Sequence, residues 1–71
     1  MGNFATIQKP YYGLMDIMKR QGVTQNDLSA FLGMDRSTFN LKINRGRDRD
    51  FTLSEAVKIS EKLGRPLDDF F

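Results

Sequence analysis

Seventy-one residues bound a single small domain, one that buries only about 60 % of the surface its unfolded chain exposes. Cysteine and histidine are both absent, which excludes disulfides, thiolate or imidazole metal sites and the usual general base, and leaves dimerisation as the common support for so short a chain. The net charge is +2, but residues 36–47 hold Arg36, Lys42, Arg45 and Arg47 with no acid, whereas residues 52–71 carry four acids against three bases, so the first stretch is the anion-facing one.

The chain opens on MGNFATIQK, which has no sustained period and reads as an N-terminal arm over residues 1–9, with at most a loose strand around Phe4 and Ile7. It lacks the apolar core of a secretion signal, and no apolar run approaches the roughly 18 to 20 residues that span a bilayer, so a cytoplasmic protein without a membrane is expected. The start also fits the loose M-G-x-x-x-[ST] myristoylation pattern, which is common by chance.

Residues 10–71 then form one domain. Pro10 suits a first helical turn, and Tyr11, Leu14, Ile17 and Met18 follow at helical spacing, predicting a first helix over 10–21. Lys19 and Arg20 favour its C-terminal end and Gly22 stops it. Thr24 with Asp27 forms a capping box for a second helix whose apolar stripe is Leu28, Phe31 and Leu32. Gly33 ends that helix after about eight residues, and Asp35 caps a third over 36–44.

The charged run NRGRDRD lacks periodicity and reads as a loop. Thr52 with Glu55 opens a fourth helix carrying Leu53, Ala56, Val57, Ile59 and Leu63, closed by Gly64. Pro66 begins a last short helix, PLDDFF. The expected architecture is an all-α, compact bundle of five helices.

The third helix looks built for a partner outside the domain. At 100° per residue Phe39 and Ile43 face inward, while Ser37, Asn40, Leu41 and Asn44 form a far stripe that is small, polar and neutral apart from one leucine. A helix that needed only solubility would carry Lys and Glu there, since both are better helix formers than Ser and Asn. Asn can pair with adenine through two hydrogen bonds, Ser can donate or accept, and an exposed Leu can meet a thymine methyl. Arg36 in the first turn can bind O6 and N7 of guanine together, or else be a solvated partner of Asp35. Gln25 at the start of helix 2 and Lys42, Asn44, Arg45 and Arg47 at the end of helix 3 are placed for phosphate, whereas Arg49 reads better as a solvated loop residue.

The stretch TQNDLSAFLGMDRSTFNLKINRG therefore resembles the helix-turn-helix of the Cro and phage-repressor family, also called the xenobiotic response element family. The resemblance rests on Thr24 and Gln25 opening helix 2, small Ser29 in its middle, Gly33 in the turn, Asp35 as cap and Phe39 four positions on. Downstream, LSEAVKISEKLGRPLDDFF looks like the family's fourth helix, its LG stop and its short fifth helix, so about residues 11–71 are covered. Ser29 stands where the family usually has Ala.

The resemblance implies a lambda-repressor-like fold with helices 2 and 3 as the helix-turn-helix. It further implies that Arg36, Ser37 and Asn40 read bases and that Gln25 contacts phosphate or buttresses helix 3. Residues after helix 3 would grip the backbone of double-stranded DNA, and a homodimer would span two half-sites about 34 to 36 Å apart. Leu41 joins the base-reading set by its place on the stripe, and Phe70 and Phe71 are candidates for the dimer contact, one packing inward and the other outward.

The expected function is a sequence-specific transcriptional regulator, a small repressor of phage or prophage type that occupies an operator; the chain leaves no room for a ligand-sensing domain, and no cofactor is expected. The competing reading is a protein-interaction module with the same fold, an anti-repressor or antitoxin-like partner. An enzyme is not expected, since no phosphate-binding glycine loop and no paired carboxylates in an apolar cleft are evident.

Overall fold

The computed structural model describes residues 9–71, so the arm and the N-terminal lipidation pattern lie almost wholly outside the described residues. Among the described residues four α-helices follow one another, α1 (Tyr12–Gln21), α2 (Gln25–Leu32), α3 (Arg36–Asn44) and α4 (Leu53–Leu63), with 3-10 turns at Gly46–Asp48 and Leu67–Asp69. No strand occurs among the described residues.

Helices α2, α3 and α4 start where a side chain provides for their unpaired backbone N–H groups, and α1, α2 and α4 stop at the left-handed glycines Gly22, Gly33 and Gly64. Thr24 Oγ1 accepts from Asp27 N–H at 3.0 Å while Asp27 accepts from Thr24 N–H at 2.9 Å, and Thr52 with Glu55 repeats the pattern on α4. Asp35 accepts from Thr38 N–H at 3.1 Å and caps α3. These exchanges hold the Asp27 and Asp35 carboxyls below the ordinary carboxylate range, through their bonds to Thr24 and Thr38 respectively.

Two expected boundaries differ. Helix α1 begins at Tyr12, two residues late, because the Tyr11 N–H donates to the Ile43 carbonyl at the end of α3, at 2.9 Å, and this tertiary bond holds Tyr11 outside helical geometry (φ −80°, ψ 75°). The expected fifth helix is a single 3-10 turn, since Pro66 remains extended and Phe70 (φ −139°, ψ −3°) breaks the spiral to turn its ring into the core.

Every helix contributes to one buried cluster: Leu14, Ile17 and Met18 from α1, Leu28 from α2, Phe39 and Ile43 from α3, Ile59 and Leu63 from α4, completed by Phe70. Phe39, Leu14, Leu28, Ile43 and Ile59 are wholly enclosed, each worth about 1.5 to 3 kcal/mol of apolar transfer. Met15 and Met34 pack against the cluster's edge. Ser29 is the buried polar residue among those described, and its hydroxyl donates to the Asn26 carbonyl at 3.1 Å, which removes most of the cost of enclosing it.

Two contacts matter for what the core presents outward. The turn from α2 to α3 needs Gly33, whose φ of +74° is left-handed; it lets Met34 N–H return to the Ser29 carbonyl at 3.0 Å. Gly13 lets α1 approach the C-terminal turn so closely that a Cβ there would stand 2.9 Å from the Asp69 carbonyl oxygen.

Candidate nucleic-acid interface

Helix α3 divides because its two buried residues are four apart while Leu41 lies between them on the outward side. Phe39 and Ile43 are sealed in the core, and the opposite face is left to Arg36, Ser37, Asn40 and Leu41. These four residues, joined by Arg47 from the following 3-10 turn, line a single open hollow of about 600 Å³.

Within that hollow the side chains are held to different degrees. Asn40 Nδ2 donates to Gln25 Oε1 at 3.2 Å, tying α3 to the first residue of α2. Ser37 Oγ makes only a long 3.4 Å bond to the capping carboxylate of Asp35, and Arg36 and Arg47 are exposed and make no ion pair among the described residues.

The expected phosphate set is only partly assembled. Gln25 lies at the α2 terminus, but its amide oxygen is engaged by Asn40. Asn44 folds back to donate to the Asn40 carbonyl at 2.9 Å, a local helical bond. Lys42 departs from the expectation most clearly: its ammonium is turned to the far side of α3, where both Glu55 carboxylate oxygens stand at 2.9 Å, and only 14 % of its side chain is exposed. Burial opposes ionisation of Glu55, yet the bonds from Lys42 and Thr52 together keep its carboxyl below the usual range.

Arg45 is also drawn inward. Its guanidinium lies 4.9 Å over the Tyr11 ring and its Nη2 is 3.4 Å from Asp50, while its Nε is buried without a partner. Tyr11 in turn donates its hydroxyl to Asp50 Oδ1, which also accepts from Phe51 N–H at 2.7 Å. Burial and the neighbouring Asp50 push the Tyr11 phenol up to about 12, against a smaller opposing pull from Arg45. Of the charged loop residues, Arg47 alone joins the α3 face.

At the other end of the chain the two terminal aromatics separate. Phe70 is 5 % exposed and belongs to the core, so it is not available as a dimer contact. Phe71 is 40 % exposed and packs edge-on against Tyr11 at 4.9 Å and Phe70 at 5.0 Å.

The Tyr11, Arg45 and Asp50 cluster was not foreseeable from periodicity, because Tyr11 is far in sequence from the loop that holds the other two and the loop has none. The isolated aromatic Phe51 just before the Thr52 cap was the available signal that the charged run is anchored. Among the described residues no cluster of His, Cys, Asp or Glu is arranged to hold a metal, and no helix is long and apolar enough to cross a membrane. The chain matches no protein-family model and no curated protein.

Proposed function

We propose that the protein is a sequence-specific DNA-binding transcriptional regulator in which α2 and α3 act as a helix-turn-helix and α3 enters the major groove. One observation carries the reading: Arg36, Ser37, Asn40 and Leu41, the side chains suited to base edges, share one outward hollow with the cation Arg47. In this reading Arg36 takes a guanine edge and Arg47 a phosphate. Asn40 gives one amide hydrogen to Gln25 and keeps one N–H and its carbonyl oxygen, the donor and acceptor an adenine pair requires.

Lys42 has no part in this scheme, and Arg45 acts only within the domain. The operator would be bound by a homodimer, with exposed Phe71 the candidate contact between copies. No catalytic step and no cofactor enter the proposal, and its place in a Cro-type or phage-repressor family is part of the same proposal.

Titration into random duplex DNA at low and near-physiological salt, read by anisotropy and followed by sequencing of the retained pool, tests it. The expected result is affinity that falls with salt as if about four counterions were released per dimer, with a two-fold symmetric motif enriched. Absence of binding near 10⁻⁴ M at low salt, weaker than the ordinary non-specific range, would overturn it in favour of a protein-interaction module.

A further inference from the structure

The segment between α3 and α4 is built against its own backbone preference. Arg45, Arg47 and Asp48 have φ of 56°, 53° and 59°, a left-handed region that residues with a Cβ seldom adopt, while the loop's glycine, Gly46, is not in that region. Residues held in such conformations persist only where their surroundings over-determine them.

The surroundings here are specific. The loop's base is closed by Arg45 and Asp50, 3.4 Å apart, and Asp50 is itself fixed by the Tyr11 hydroxyl and the Phe51 N–H. Tyr11 is anchored to α3 through its N–H on the Ile43 carbonyl, and its ring supports the Arg45 guanidinium. At the apex, Arg49 N–H closes a 3-10 turn on the Gly46 carbonyl at 2.9 Å, leaving Arg47 on the α3 face.

Resting on the DNA-binding reading above, we infer that Tyr11, Arg45 and Asp50 are positioning residues: they close the 45–50 loop at its base so that Arg47 is presented to a DNA phosphate beside Arg36. Arg45 then serves binding without touching the ligand. An acid, Asp50, serves the binding of a polyanion.

The two roles open to Asp50 change affinity in opposite directions. If Asp50 were only a nearby negative charge, Asp50→Ala would tighten DNA binding by removing repulsion. If it holds the loop, Asp50→Ala weakens binding about three- to tenfold and lowers the salt slope of the dimer by about two, as loss of one phosphate contact from each copy does. Tyr11→Phe, which keeps the ring, should weaken binding in the same direction and by less. In an Arg47→Ala background neither change should weaken binding further, because the residue they position is gone. Amide relaxation of residues 45–49, measured without DNA, should pass from rigid in the wild type to mobile in Asp50→Ala, with the melting curve reporting that the helices remain folded.

Tighter or unchanged binding by Asp50→Ala, an additive effect with Arg47→Ala, or a loop equally rigid in both proteins would overturn the inference while the DNA-binding reading stands. Failure of the wild type to bind any duplex would overturn both.

Discussion

Breaking the Lys42 and Glu55 pair from each side should give unequal losses. Glu55 accepts two 2.9 Å bonds from Lys42 and also accepts from Thr52 N–H as the returning half of the α4 capping box, with about one fifth of its side chain exposed (21 %). Lys42→Met leaves that carboxylate with its backbone bond and some water, and retains the apolar stem, so the loss should be about 1 kcal/mol, the upper end for exposed pairs. Glu55→Ala removes the pair and half the cap and strands an ammonium that is mostly enclosed. That sums to about 2 to 3 kcal/mol, between the exposed and the fully buried cases. In a domain of this size 1 kcal/mol moves the melting temperature by about 4 to 8 °C, so calorimetry should find Glu55→Ala lower by about 10 to 20 °C and Lys42→Met by about 5 °C. Equal, small losses from both would mean that the pair is screened and that its enclosure carries no energetic weight. Lys42→Met should also leave the salt slope of DNA binding unchanged. A fall of about two per dimer would return Lys42 to the proposed phosphate contacts.

Three further perturbations test other parts of the structure. Gly13→Ala would gain about 1 kcal/mol of helix propensity on an unconstrained helix, but the Asp69 carbonyl at 2.9 Å must give way, so denaturant titration should find the variant less stable. Asp48→Gly relieves a left-handed residue and should raise stability by about 0.5 to 1 kcal/mol after the entropy gained by the unfolded chain, read as a higher melting temperature. Stability should also fall at both ends of the pH range. Asp27, Asp35 and Glu55 have folded pKa values below the ordinary 3.8 to 4.5, so what they contribute is fully present above those ordinary values and is lost as pH falls below them through the lower folded values. Tyr11, raised from 10.0 to about 12, contributes below pH 10 and loses this as pH rises towards 12. Tyr11→Phe should therefore flatten the alkaline limb of a melting-temperature profile and leave the acid limb in place.

Helix ends were the most legible part of the sequence, because they depend on residues three apart: both capping boxes, the Asp35 cap and the stops at Gly22, Gly33 and Gly64 can be read without any tertiary information. The division of α3 into a core face and an outward face was legible for the same reason. Lys42 was not, since its direction is set by Glu55, thirteen residues on, and charge alone does not say whether a lysine meets a ligand or a neighbour. The start of α1 depended on a carbonyl at the far end of α3, and the end of the chain on the pull of Phe70 into the core. In the loop, left-handed geometry falls on Arg45, Arg47 and Asp48 and not on Gly46, so residue type alone does not mark it.

The single hydrogen bond between Asn40 and Gln25 bears on how this protein could change its target over generations. Ser37 is held only loosely and Arg36 by no ion pair among the described residues, so under the proposed function lineages can exchange either side chain, and a new recognition preference can drift in without cost to the scaffold. Asn40 has a second role beside its proposed base contact, and replacing it also breaks a tie between two helices. A paralogue that diverges at position 40 should therefore diverge at position 25 too, and a library intended to retarget the protein should vary those two positions as one unit.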